Sequence, residues 1–263
     1  MSDLIHNTAI VNKGATLGRG VKVGPYSIIG SGVKIGDNVD ISSHVVVEGN
    51  TSIGDNTKIF SFACIGSMTQ DKKYRGEESK LVIGKDNVIR EYVTINPGTQ
   101  GDLKCTFIGD NCLLMISSHV AHDCVIGNNV ILSNNATLGG HVIVEDNAIL
   151  GGMTAVHQFV RIGRNAMVGG MTGVELDVCP YTMVKGERAF MAGLNLIGLK
   201  RCNMAKDSIR TLRLAYDTLF SPNMNFLEAV DHLEKKFSDN AQIKELIKFL
   251  RAEKSRGFCK PKG

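Results

Sequence analysis

Tryptophan is absent from the 263 residues, and proline occurs only 5 times. A chain this poor in proline, yet holding 29 glycines, is neither collagen-like nor a proline-rich linker. No run of about 18 apolar residues exists, so no membrane span is expected. The opening residues, MSDLIHNTAIV, hold no positive stretch leading into an apolar one, so no signal peptide is expected. The seven cysteines are Cys64, Cys105, Cys112, Cys124, Cys179, Cys202 and Cys259; their number is odd and none form a CxxC pair. That argues against a disulfide framework and for free thiols in a reducing cytoplasm. Most would serve as small buried hydrophobes.

Charge is spread unevenly. From Lys200 onward there are 14 Lys or Arg against 8 Asp or Glu, whereas the first 199 residues carry 16 against 18. A basic tail suits an acidic partner, which can be a nucleic acid, a phosphate-bearing ligand or an acidic protein; solvated helix faces are the plainer explanation. Hydrophobic residues make up 43% of the chain, enough for a sizeable core in one large domain or two smaller ones.

What fills the chain is a period of six. Aliphatic residues stand at Ile5, Val11, Leu17, Val23, Ile29, Ile35, Ile41, Val47, Ile53, Ile59 and Ile65, again at Ile83, Ile89 and Ile95, and then every sixth position from Ile108 to Val174. Of these 26 positions, 13 are followed by glycine. Six is neither the helical period nor a bare strand alternation, but it is three strand periods, so each repeat returns an aliphatic to one face. Short strands ending at corners, three to a coil, predict a parallel β-solenoid with interior ladders and rungs about 4.8 Å apart. Two segments break the period: SMTQDKKYRGEESK after Ile65 and NPGTQGDLKC after Ile95. A regular solenoid gains nothing from loops, so both are candidates for function. After Pro180 the spacing becomes helical, at Ile209, Leu212, Tyr216 and Leu219, then Phe226, Val230, Leu233 and Phe237, then Ile243, Leu246, Ile247 and Leu250. About three amphipathic helices are expected there, covering an open end of the solenoid.

Four of the seven histidines, His119, His122, His141 and His157, lie within 39 residues. At about one coil apart they are expected to stack along one edge, a candidate for acid–base chemistry or metal binding. Asp123 follows His122 and can fix its tautomer if a corner turns the two side chains together. Backbone N–H groups at Gly139-Gly140 can face a developing oxyanion.

The segments SHVAHDC, NNATLGGHV and GGMTAVHQF, with QDKKY and NLIGLKR, closely resemble bacterial UDP-N-acetylglucosamine acyltransferases of the hexapeptide-repeat family. The resemblance spans nearly the whole chain. It implies a mainly β fold, a left-handed parallel β-helix over residues 1–190, with a C-terminal α-helical domain over 191–263. It implies a cytoplasmic homotrimer that transfers a 3-hydroxyacyl chain from acyl carrier protein to the 3-hydroxyl of UDP-N-acetylglucosamine, the first step of lipid A synthesis. Neither a metal, a cofactor nor nucleic acid is implied. By the same resemblance His122 is the general base, Asp123 orients it, and Gly140 N–H stabilises the oxyanion. His119, His141, His157 and Gln158 match sugar or acyl contacts. Gln70, Asp71 and Lys73 match sugar contacts made to a neighbouring subunit. Asn195 and Arg201 match the nucleotide end, and Gly170 stands where acyl length is set, with room for a longer chain. The chain departs from the family at Asn96-Pro97, which replace His-Arg, at Cys202, which replaces a second arginine, and at Ile197, which replaces an acidic residue near the uracil.

Three rivals remain. A relative that acylates the glucosamine amine usually carries a uridine-binding domain before the solenoid, and a repeat starting at Ile5 leaves no room for one. A zinc carbonic anhydrase on the same fold would use three histidines, here His119, His122 and His141. A structural solenoid predicts no activity that depends on these histidines.

Overall fold

The computed structural model describes residues 4–100, 104–253 and 256–262. Most strands are two residues long and obey one rule: the first residue faces out and the second faces in. Lys22–Val23, Asp40–Ile41 and Lys58–Ile59 each pair an exposed polar residue with a buried aliphatic. Among the described residues the strands stack in three sheets of nine, eight and ten members, parallel but for one strand at the C-terminal end. Register is strict. Ile29 pairs with Val47, Val47 with Ile65, Ile65 with Ile95, Ile95 with Val120, and Val120 with Leu138. Each aliphatic therefore sits on another of its kind, and one continuous core runs from Val21 to Val184.

The turns explain how six residues make a side. At most turns the third residue after the inward aliphatic adopts a left-handed backbone. At one corner this residue is mostly asparagine: Asn38, Asn56, Asn111, Asn129, Asn147 and Asn165 have φ between 53 and 60°. Asparagine tolerates that region better than most side chains. It also adds a ladder, since Asn111 Nδ2 donates to Asn129 Oδ1 at 2.7 Å. A second corner carries aromatic rings instead. Tyr26, His44, Phe62 and Tyr92 stack with centroids 5.0 to 5.1 Å apart. The third corner is where the chain leaves the coil. Both period breaks, after Ile65 and after Ile95, emerge from it on neighbouring rungs. Part of the second break, residues 101–103, lies outside the described residues.

The two ends differ. At the N-terminal end Val11 and Leu17 are only partly buried, and Ile5 bridges to Val23. At the C-terminal end the sheet does not stop at Pro180, although the six-residue period does. Thr182–Lys185 adds one more parallel strand beside Met167–Val168, and Phe190–Leu194 folds back antiparallel. A period cannot reveal a strand that occurs once.

Four helices follow among the described residues, the three expected ones and a short one before them: α1 (Leu196–Arg201), α2 (Lys206–Leu219), α3 (Phe226–Lys236) and α4 (Ala241–Arg251). Six residues are too few to show a helical stripe, which is why α1 escapes a periodicity search. Asparagine side chains cap α1, α3 and α4, accepting from Gly198 N, Glu228 N and Ile243 N. Leu212, Tyr216, Leu233, Leu246 and Leu250 form a second core with Cys179, Tyr181 and Met191 of the last coil, so the helices cover that end. Arg161 fastens the join. Its Nε donates to Asp177 Oδ2 at 2.9 Å, its Nη1 donates to Phe249 O at 3.1 Å, and its guanidinium lies 4.3 Å from the Phe249 ring centre. Tyr216 Oη donates to Pro180 O at 2.6 Å. No helix among the described residues is long and apolar enough to cross a membrane.

Candidate active site

Asp123 occupies the left-handed position of its corner, with φ of 57°. That bend turns its side chain back beside His122, which an extended strand could not do. His122 Nδ1 lies 2.9 Å from Asp123 Oδ2. A carboxylate only accepts, so Nδ1 carries a proton, and in the neutral ring Nε2 keeps the lone pair. The pair is deeply set: His122 is 6% exposed and Asp123 2%. Burial follows from His141, whose ring packs edge-on to His122 at 5.0 Å, and from the second excursion, whose Thr99 covers Asp123.

The histidines do not stack in one register. The residues that share the left-handed corner position are Asp123, His141 and Phe159. Phe159 lies flat on His141, with centroids 4.5 Å apart and planes 8° from parallel. His119 is on the strand before the corner, and Thr94 Oγ1 lies 2.7 Å from its Nδ1. Burial, and next to it the charge of His122, pull its pKa below the ordinary value of 6.5. His157 begins the next rung's turn, and Arg256 Nη2 lies 2.9 Å from its Nδ1. The four therefore converge on one corner from different positions, with Phe159, Thr94, Thr99 and Arg256 as neighbours that the histidine count did not reveal. The first was within reach, because Asp123, His141 and Phe159 are spaced by one 18-residue coil.

Two cavities flank this corner. One, of about 480 Å³, is lined by Gln70, Asp71, Asn96, His119, His122, Gly140 and Gln158, among others. The other, of about 510 Å³, brings Asp71, Lys73 and Tyr74 against Thr99, His141 and Phe159. The first excursion thus lies over the histidines of its own chain, whether or not it also reaches a neighbour. Asn96 Nδ2 holds it by donating to Ser67 O at 3.1 Å. Gly140 N–H donates to no acceptor among the described residues, and Gly140 lines the cavity beside His122.

Other expected residues lie elsewhere. Asn195 and Arg201 are the N-cap and last residue of α1, outside both cavities. The Asn195 side chain is buried and used at both ends, capping Gly198 N and donating to Asn165 O at 2.9 Å. Gly170 is exposed at the aromatic-bearing corner, on the far side of the sheet that carries His119. A Cβ there would meet only Gly152, at 3.3 Å from its carbonyl oxygen.

The metal reading fares poorly. Among the described residues the group within ligand reach of one another is His122, Asp123 and His141, with His119 not among them. Asp123 in that group already accepts from Thr99 and His122. None of the seven cysteines forms a disulfide among the described residues.

A parallel six-residue solenoid with a buried His-Asp pair on one corner defines a hexapeptide-repeat transferase. The family model described as bacterial transferase hexapeptide (six repeats) matches residues 14–49 and 105–140, and that described as UDP-N-acetylglucosamine O-acyltransferase, domain 2, matches 177–259. An acyl-[acyl-carrier-protein]–UDP-N-acetylglucosamine O-acyltransferase of Anaeromyxobacter dehalogenans is 43% identical over 97% of this chain and 99% of its own. A solved structure of a UDP-N-acetylglucosamine acyltransferase superposes with a TM-score of 0.95 at 42% identity, covering 98% of this chain and 99% of the other. The Moraxella catarrhalis enzyme superposes at 0.94 with 40% identity, covering 97% and 99%. The chain belongs to the UDP-N-acetylglucosamine O-acyltransferase family, and its β-helix is left-handed, an exception to the usual hand of parallel crossovers. These relatives are O-acyltransferases, and the carbonic anhydrase reading finds no support among them.

Proposed function

We propose that this protein transfers a 3-hydroxyacyl chain from acyl carrier protein to the glucosamine 3-hydroxyl of UDP-N-acetylglucosamine, with His122 as general base. The observation that carries the proposal is the buried hydrogen bond from His122 Nδ1 to Asp123, which leaves Nε2 basic beside a cavity. Nε2 removes the proton of the sugar hydroxyl as its oxygen attacks the thioester carbon. The carbonyl oxygen takes the negative charge and receives the Gly140 N–H. Collapse breaks the carbon–sulfur bond, and the imidazolium returns the proton to the departing thiolate. Asp123 stabilises the imidazolium between these steps without taking its proton.

Gln70, Asp71 and Lys73 would bind the sugar over the cavity, with His119, His141, His157 and Gln158 as further sugar or acyl contacts. Asn195 and Arg201 would serve the nucleotide, for which the amide of Asn195 must give up a present partner. The acyl chain would run across the sheet toward Gly170. The division at residues 190 and 191, the homotrimer and the cytoplasmic location belong to the same reading. The basic tail suits both a diphosphate and an acidic carrier protein.

The test is to incubate the protein with UDP-N-acetylglucosamine, or its 3-amino analogue, and a panel of 3-hydroxyacyl carrier proteins, then identify the product by mass. A 3-O-acylated sugar nucleotide is expected, and none from His122→Ala with its oligomer intact. A His122→Ala enzyme with near wild-type turnover would remove the mechanism.

A further inference from the structure

The second excursion reaches the catalytic carboxylate through Thr99. Thr99 N donates to both carboxylate oxygens of Asp123, each at 3.0 Å, and Thr99 Oγ1 donates to Oδ2 at 2.6 Å. Oδ2 is the oxygen that also accepts from His122 Nδ1. Thr99 is 5% exposed, so these bonds lie in a dry setting where a charge-assisted hydrogen bond is strong and directional. The backbone N–H of Asp123 is held in turn by Thr106 Oγ1 at 2.9 Å. A carboxylate on a solvent-facing corner has several rotamers open to it; this one is clamped from both sides.

The clamp is anchored. Gly98 N donates to Lys80 O at 3.1 Å, Gln100 N to Glu77 Oε1 at 3.2 Å, and Asn96 Nδ2 to Ser67 O at 3.1 Å. Residues 96–100 therefore grip both ends of the first excursion as well as Asp123. Their close approach requires glycine at 98, where a Cβ would fall 2.1 Å from Cys105 N and 2.8 Å from Asp123 Oδ1.

We propose that Thr99 is a positioning residue for the transfer reaction: its hydroxyl holds Asp123 in the rotamer that accepts from His122 Nδ1, and so fixes the tautomer and aim of the imidazole. This rests on the reading of His122 as the base. The Thr99 hydroxyl is spent on Asp123 and the residue is 5% exposed, so its loss is expected on the chemical step and not on sugar binding.

The experiment compares Thr99→Val, Thr99→Ala and Thr99→Ser in the intact enzyme, alone and with Asp123→Ala, by single-turnover and steady-state acyl transfer. Removing the hydroxyl in Thr99→Val or Thr99→Ala should lower kcat about tenfold, with KM for the sugar nucleotide unchanged. Thr99→Ser, which keeps the donor, should restore it. In the Asp123→Ala background the same change should cost almost nothing, because the two residues act as one unit. Unchanged kcat in Thr99→Val and Thr99→Ala, or an equal loss in both backgrounds, overturns the proposal. His122→Ala separates the two levels. If it is inactive while the Thr99 variants are at full rate, only the role of Thr99 fails; if it is active, the base itself is wrong.

Discussion

A β-carbon on Gly140 would lie 2.5 Å from both Cε1 and Nε2 of His122, so the imidazole occupies the space that any other residue would need. The glycine is kept by this approach and not by its dihedrals, since its φ is not in the left-handed region. Gly140→Ala should push the ring away from the cavity and pull it off Asp123. Displacing a catalytic group by about 1 Å typically costs on the order of 100-fold in rate. The expected result is a kcat loss of that size with the far-UV circular dichroism of the β-helix intact. Wild-type turnover in Gly140→Ala would show that the ring is free to shift without cost.

His119 gives a pH signature in stability. Its folded pKa lies below the ordinary value of 6.5, chiefly because burial penalises the charged ring. As pH falls past the unfolded value, the unfolded chain takes up the proton first, and the native state loses stability until His119 itself titrates at its lower pKa. Above the unfolded value the group contributes no pH dependence. The melting temperature should therefore fall below about pH 6.5. His119→Gln, which cannot titrate, should fall less steeply over the same interval. Parallel curves for the two proteins would place the titration elsewhere.

The scaffold was more legible in the sequence than the site, for a physical reason. A period of six encodes inward aliphatics directly, and Val120, Ile126, Leu132 and Leu138 are each fully buried as their spacing requires. The two excursions were equally plain, as gaps in that period. What sequence spacing does not carry is direction at a corner. His122 and His141 are 19 residues apart, which suggests stacking, yet the true partner of His141 one coil below is Asp123. Thr99 stays hidden for a different reason, because loops owe no allegiance to the period and their contacts are set by packing. The same holds for α1, a helix too short to declare itself, and for Arg256, which meets His157 across 99 residues.

Cysteine reactivity should follow burial closely. Burial pushes the Cys112 thiol up to about 11, and those of Cys124 and Cys259 up to about 12. At neutral pH almost none of these exists as the reactive thiolate. Cys202 alone is exposed, at the end of α1 beside Arg201. Brief treatment of the native protein with a maleimide should modify Cys202 first, with Cys112, Cys124 and Cys259 labelled only after denaturation. Peptide mapping by mass spectrometry checks the order. Early labelling of Cys124, whose Sγ donates to Gly139 O at 3.2 Å inside the coil, would mean that the β-helix opens at the catalytic corner.

A buried ion pair helps to attach the helical part, beside the apolar core and the Tyr216–Pro180 bond. Arg161 is 8% exposed and Asp177 is fully buried, and the arginine reaches from the last coil to the carbonyl of Phe249 in α4. A buried pair of this kind adds little over an apolar substitute, but removing one member strands the other charge in a low dielectric, at a cost of about 3–5 kcal/mol. Arg161→Ala also removes the stacking on Phe249. Loss should appear first at the join, because the β-helix ladders below it are self-sufficient rung by rung. Thermal unfolding of Arg161→Ala should then split into two steps, the helices leaving before the solenoid. Arg161→Met with Asp177→Leu, which replaces the pair by apolar side chains, should recover much of the lost stability. If Arg161→Ala instead melts in one step within a degree or two of wild type, the clasp is not what holds the helices in place.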